Sequence, residues 1–292
     1  VGEFPELQGL MGRYYALNDG EHAEVCEALR EQYLPRFAGD ELPATKTGMA
    51  VAIADKLDTI AGIYATGQKP TGTRDPFGLR RAALGLLRTA IERRLDLDLQ
   101  SLIAQALAAL PFAAPADCAR EVYDYVIERL RAYYVEGDAG LAVTTEMFDA
   151  VLATRPASPL DFDARLRALV EFLRLPEAQA LAAANKRIAN ILRKATEPVG
   201  DHVDADRLVD PAEQILGEQV EAIARQVEPR FAARDYTEAL KSLAVLRNAV
   251  DAFFDSVMVM ADDPALRANR LALLQRMQGL FMHAADLSRL PG

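Results

Sequence analysis

Apolar residues recur at three- and four-residue steps along nearly the whole chain, and no run of alternating β-branched residues is long enough to argue for a sheet. Over 44–66 the stripe is Met49, Ile53, Leu57, Ile60 and Tyr64, and Gly67 follows as a residue favoured just past a helix end. Asp75-Pro76 predicts the next helix start, with Asp as N-cap and Pro at the first helical position, ahead of the stripe Leu84, Leu87, Ile91, Leu95. Asp98 is placed to cap a further helix whose core face is Leu102, Ala106 and Leu110. Val122, Val126, Leu130 and Tyr133 mark another.

The pattern breaks at Thr154-Arg155-Pro156-Ala157-Ser158-Pro159, where two prolines in four residues are incompatible with a helix interior. This predicts a domain boundary, with one helical domain over 1–156 and a second over 157–292. Beyond the break come Phe162, Leu166, Leu169 and Leu173, then Pro176 opening a helix with Leu181, Ala184, Ile188 and Ile191. Residues 198–211 are polar and read as a loop. Three stripes finish the chain: Leu216, Val220, Ile223, Val227; then Leu240, Leu243, Val250, Phe254, Val257; then Leu266, Leu274, Met277, Phe281, which starts at Asp263-Pro264. The expected fold class is all-α, in two helical bundles, without a fixed-period repeat.

Composition supports an ordinary globular chain, 51% hydrophobic and 26% charged. No stretch approaches the roughly 18 apolar residues of a membrane span. Cys26 and Cys118 are too few for a disulfide framework and fit a reducing cytoplasm as inert thiols. His22, His202 and His283 sit at spacings that fit no standard zinc motif. The opening Val1-Gly2-Glu3-Phe4-Pro5 has neither an initiator Met nor a signal pattern, so the chain is expected to be a portion of something longer. A net charge of −10 argues against a nonspecific DNA binder, but a local basic patch can still dominate an RNA contact.

Three constellations carry candidate chemistry. Asp55 and Asp58 in Ala54-Asp55-Lys56-Leu57-Asp58 lie three apart on the face away from Ile53 and Leu57. The Ala-Asp-Lys-Leu string resembles the last metal-ligand motif of HD-type phosphohydrolases, whose other ligands include a His-Asp pair. This chain has no His-Asp doublet, so a solvated acidic face is expected, and no bound metal. Lys69–Arg94 holds seven basic residues, including Lys69, Arg74, Arg80, Arg81 and Arg88, against Asp75 and Glu92, a local balance of +5. Its loop Gly67–Arg74 offers backbone and hydroxyl donors for phosphate but lacks a P-loop ending. A phosphate-binding face, a solvated basic helix face and a protein interface all fit.

The third constellation is Asn185-Lys186-Arg187-Ile188-Ala189-Asn190-Ile191-Leu192-Arg193-Lys194. With Ile188 and Ile191 inward, about 100° per residue brings Lys186, Asn190 and Arg193 to one outward face. Arg and Lys hold phosphates, and Asn can bond a splayed base edge. A plain solvated face has the same spacing. The aromatics Tyr14, Tyr15, Tyr133 and Tyr134 read as core residues with hydroxyls at the rim, and Phe253 and Phe254 as core. No residue set reads as catalytic.

Several stretches, in order, resemble the β subunit of bacterial two-subunit glycyl-tRNA synthetases. They include Glu3-Phe4-Pro5-Glu6-Leu7-Gln8-Gly9, Pro35-Arg36-Phe37-Ala38-Gly39-Asp40, Ala54-Asp55-Lys56-Leu57-Asp58-Thr59 and Gly67-Gln68-Lys69-Pro70-Thr71-Gly72-Thr73-Arg74-Asp75-Pro76-Phe77. Leu79-Arg80-Arg81-Ala82-Ala83-Leu84-Gly85, Ala183-Ala184-Asn185-Lys186-Arg187 and Asp251-Ala252-Phe253-Phe254-Asp255 come after them. The resemblance spans essentially the whole chain and implies its C-terminal portion.

In that family the enzyme ligates glycine to its tRNA using ATP and Mg²⁺. The α subunit carries the aminoacylation site, and β recognises tRNA. The resemblance therefore implies a cytoplasmic ligase subunit with tRNA(Gly) and the α subunit as partners, and neither DNA nor membrane. Its fold would be a partial HD-like domain followed by an anticodon-binding bundle like that of arginyl-tRNA synthetase. No cofactor and no catalytic residue are expected within this portion. Anticodon contact is expected at Asn185, Lys186, Arg187, Asn190, Arg193 and Lys194. Contact with tRNA or the α subunit is expected at Lys69, Arg74, Arg80, Arg81 and Arg88, and Asp55 corresponds to a degenerate HD ligand position. The alternatives are an HD-type metal phosphohydrolase, or a structural module whose basic region docks the α subunit.

Overall fold

The computed structural model describes residues 3–72, 74–137, 140–195, 199–200 and 202–291. Thr73, Pro198 and Asp201, which fall in expected loops, lie outside the described residues. Among the described residues the structure is all-α, with one isolated bridge, Thr71 to Arg74, and no strand. The α-helices are α1 (Leu10–Asn18), α2 (Ala23–Glu31), α3 (Lys46–Ala65), α4 (Leu79–Glu92), α5 (Leu99–Ala108), α6 (Cys118–Glu128) and α7 (Leu130–Val135). They continue as α8 (Thr145–Leu152), α9 (Pro159–Phe172), α10 (Ala178–Lys194), α11 (Pro211–Ala232), α12 (Tyr236–Leu243), α13 (Arg247–Ser256) and α14 (Pro264–Met282). No helix among the described residues is long and apolar enough to cross a membrane.

Side-chain caps set many of the helix starts. Thr45 accepts from Gly48 N at the head of α3, Asp98 from Ser101 N at α5, and Asp263 from Ala265 N at α14. Each such cap contributes ~1 kcal/mol. Asp75 works differently from the expectation. Helix α4 starts at Leu79, behind Gly78 in the left-handed region at φ 66°. The Asp75 carboxylate reaches forward from the preceding turn to accept from Leu79 N at 2.8 Å and Arg80 N at 2.9 Å. It satisfies two of the four orphan donors at the start of the helix.

The chain forms two compact units, Val1–Glu136 with Ala157–Leu160, and Gly137–Pro156 with Asp161–Gly292. This division differs from a single break at 156/157. The break itself is real as a helix interruption, because α8 ends at Leu152 and α9 begins at Pro159. Yet α8 packs within the second unit: the Phe148 and Phe162 rings lie 5.0 Å apart, and Ala150 O accepts from Asp286 N at 2.8 Å. Ala157 O instead accepts from Leu99 N at 2.8 Å, within the first unit.

In the first unit α3 is the hub, packing against α2, α4, α5 and α6. Its stripe is buried at Ile53, Leu57, Ile60 and Tyr64, and Met49 is half-buried. On α5 the fully buried residues are Leu99 and Ile103; Leu102, Ala106 and Leu110 are only half-buried. In the second unit α11 packs on α12, α13 and α14, and α10 on α13 and α14. Val250 and Phe253 are buried on α13, while Phe254 is half-buried, one position off the expected stripe. Tyr133 and Tyr134 are core residues, but Tyr14 and Tyr15 are exposed. Cys26 and Cys118 are buried free thiols, and burial pushes the Cys118 thiol up.

Candidate nucleic-acid interface

Helix α10 presents a cationic face with no acidic residue anywhere along it. Leu181, Ala184 and Ile188 are buried, and α13 and α14 pack against the helix. At about 100° per residue this leaves Lys186, Arg187, Asn190, Arg193 and Lys194 within roughly 120° of arc, and all five are exposed. Arg193 Nη2 donates to Asn190 Oδ1 at 2.7 Å, which ties the amide and the guanidinium into one unit. The Arg187 guanidinium lies 4.1 Å from the centroid of the Phe254 ring, a cation–π contact that fixes its stem against α13. The same contact covers part of the half-buried Phe254 ring. Arg193 and Lys194, in the last turn, also complement the helix dipole.

Asn185 departs from the expected set. It is 1% exposed, and its Nδ2 donates back to Leu181 O at 2.9 Å while Oδ1 is buried without a partner. Its helical position lies roughly 140° from Asn190, on the side of Leu181 and Ile188, so it is not offered to a surface ligand.

The basic stretch of the first unit is divided by the fold. Lys69 pairs with Glu121 at 2.6 Å. Arg88 pairs with Glu92 at 2.8 Å, and its Nη2 reaches Asp40 O at 3.5 Å. Arg93 donates to Pro43 O and Leu42 O, both at 2.9 Å, so it ties α4 to the preceding loop. Arg80 donates to Gly72 O, which holds the loop against the start of α4. Arg74 and Arg81 are exposed. Arg80, Arg81 and Arg88 line one cavity of about 290 Å³. Arg80 also lines a second cavity of about 400 Å³ with Arg129 and Arg131, two residues that spacing did not single out. The signal for them was weak, because Arg129 merely interrupts one apolar stripe between α6 and α7.

Asp55 and Asp58 are both exposed on α3. Asp58 sits at the edge of an apolar groove of about 540 Å³ lined by Met49, Ile53, Leu57, Leu102 and Ala106. Among the described residues there is no group of three or more His, Cys, Asp or Glu side chains able to hold a metal ion. The notable residue of this motif is Lys56. It is buried, with its Nζ donating to Leu34 O at 2.7 Å, Gln32 O at 3.1 Å and Ala52 O at 3.3 Å.

Residues 1–153 match the family model described as glycyl-tRNA synthetase beta subunit, and residues 181–287 match the DALR anticodon binding domain. The α10 face therefore lies within the second match. The glycine–tRNA ligase beta subunit of Marinobacter nauticus is 54% identical over 292 residues, covering 100% of this chain and 42% of the relative. That of Pseudomonas aeruginosa is 52% identical over 291 residues, and that of Acinetobacter baumannii 52% over 294, again covering 42% of each relative. The chain thus spans less than half the length of these curated relatives, and it belongs to the glycyl-tRNA synthetase beta subunit family, with a DALR anticodon-binding domain in its second half.

Proposed function

We propose that this chain is the tRNA-binding portion of a glycine–tRNA ligase. In this reading it grips tRNA(Gly), including its anticodon, to support ATP-dependent aminoacylation carried out with an α subunit in the cytoplasm. The observation that carries the reading is the acid-free cationic face of α10 inside the segment matching an anticodon binding domain. Lys186, Arg187, Arg193 and Lys194 supply charge for phosphates. Asn190, oriented by Arg193, supplies an amide for a base edge in an unstacked loop. In the same reading ATP and Mg²⁺ act elsewhere in the whole enzyme, and no cofactor, metal or catalytic residue is expected in this portion.

The test is binding of the chain to tRNA(Gly) and to an anticodon-mutated copy, at low and moderate salt. Preference for the native anticodon, lost on replacing Lys186, Arg187, Arg193 and Lys194 together by Ala, is the expected result. Binding left unchanged by that fourfold replacement overturns the site assignment. Equal affinity for both RNAs overturns anticodon recognition.

A further inference from the structure

The two arginine-lined cavities of the first unit share Arg80 and Leu84, so they adjoin at α4, and Glu128 and Glu136 also line the second. Their cations are not neutralised evenly. Arg88 is paired with Glu92 and Arg131 with Glu128. Arg80, Arg81 and Arg129 have no carboxylate within ion-pair distance among the described residues. The Arg129 guanidinium lies 5.1 Å from the Tyr125 ring centroid, with its Nε buried and without a partner. Tyr125 Oη is likewise buried without a partner. At the other end Phe37 is 57% exposed on the cavity wall, with the Arg36 guanidinium 5.8 Å from its ring centroid. Arg36 is itself held by Asp40 at 3.0 Å.

A row of uncompensated arginines beside a fixed, exposed aromatic ring is the chemistry of a single-stranded nucleic-acid track. The cations follow the backbone and the ring stacks a base. An acidic peptide would use the arginines but gain little from Phe37. We propose that this groove binds RNA backbone, with phosphates on Arg80, Arg81 and Arg129 and one base stacked on Phe37, making a second tRNA contact separate from the anticodon site. The proposal rests on the reading that the chain binds tRNA. It does not depend on which residues of α10 read the anticodon.

The experiment measures binding of whole tRNA(Gly) and of its isolated anticodon stem-loop across a salt series, with a thermal melt confirming that each variant folds. Arg81→Ala with Arg129→Ala is expected to weaken whole-tRNA binding at least tenfold and to flatten the salt slope by roughly 1.4 to 1.8, while stem-loop affinity stays unchanged. Arg129→Lys on the Arg81→Ala background is expected to recover part of the slope. Phe37→Ala is expected to weaken whole-tRNA binding about fivefold or more with little change in slope. A folded Arg81→Ala/Arg129→Ala variant with unchanged affinity and slope overturns the proposal. So does a groove that binds polyglutamate as tightly as tRNA and is indifferent to Phe37→Ala, which would mark it as a protein-docking surface. If the α10 replacements leave stem-loop binding intact while the groove variants lose tRNA, the anticodon assignment falls and the groove stands. A wild-type chain that binds neither RNA overturns both.

Discussion

The carboxylate of Glu31 occupies the space where a side chain on Gly48 would have to stand. A Cβ built on Gly48 would come within 1.8 Å of Glu31 Oε2. From that position Glu31, 3% exposed, accepts from Ala44 N at 2.8 Å, Thr45 N at 3.1 Å and Thr45 Oγ1, so it caps α3 from the end of α2. Gly48→Ala is therefore expected to expel the carboxylate and leave these part-buried donors without it, at ~1–3 kcal/mol each in the worst case. A net loss of about 2–4 kcal/mol in urea unfolding of the first unit is expected. A Gly48→Ala variant as stable as wild type would show that Glu31 is dispensable as a cap.

Lys56 gives the first unit a pH dependence of known sign. Burial lowers its pKa from 10.5 to about 8, and Asp55 offsets this only in part. Because the folded pKa lies below the unfolded one, the unfolded chain binds more protons between about pH 8 and 10.5, and stability rises with pH across that window. Lys56→Met removes the titration and leaves Gln32 O and Leu34 O without their donor. The stability advantage of wild type over this variant is expected to widen from about pH 7 to about pH 10. A constant gap in denaturant midpoints at matched ionic strength would contradict it.

The sequence made the helices legible because burial of one stripe per helix leaves a periodic trace, as on α3 and α11. What it hid were features that depend on tertiary partners. Asp75 reads as an N-cap from the dipeptide alone, but only the turn through Gly78 decides that it caps from four residues ahead of Leu79. On α13 it is Phe253 that faces the core, while the neighbouring Phe254 ring lies against the Arg187 guanidinium, a difference the apolar stripe alone does not carry. The charged faces were legible as charge. Which cations stay uncompensated was not, since Glu121 and Glu92 claim Lys69 and Arg88 across the fold or along the same helix. Arg129 entered the groove only through the packing of α6 beside α4.

In the second unit a buried ion pair joins α11 to α14. Glu213 is fully buried and bonded to the Arg270 guanidinium, whose Nη1 also donates to Met258 O at 2.8 Å. Glu213 further accepts from Val209 N at 3.1 Å. Removing one member strands the other charge, so Arg270→Met is expected to cost ~3–5 kcal/mol. Replacing both, Glu213→Leu with Arg270→Met, is expected to recover much of that loss, because both desolvation penalties disappear together. Thermal and urea unfolding of the two variants beside wild type would decide it. A double variant no more stable than Arg270→Met alone would mean that the bonds to Met258 O and Val209 N, not the charge pair, carry the stabilisation.

Asn185 and Asn190 share a helix and a residue type, but their surroundings give them opposite expected behaviour. Asn185 is enclosed, bonded to Leu181 O, and carries an orphaned Oδ1, so its side chain neither meets solvent nor contributes a fully satisfied bond. Asn185→Ala trades a small cavity against removal of that orphan. It is expected to change stability by about 1 kcal/mol or less while leaving RNA affinity and its salt slope unchanged. Asn190 is exposed and orients Arg193 through a 2.7 Å bond. Asn190→Ala is expected to leave the melting temperature unaltered and to weaken tRNA(Gly) binding severalfold, with most of the loss in discrimination between native and mutated anticodons. Parallel melts and binding curves on the two variants separate the roles. A loss of anticodon discrimination in Asn185→Ala, with Asn190→Ala behaving as wild type, would place the reading edge of α10 on its buried side and refute the outward face as the contact surface.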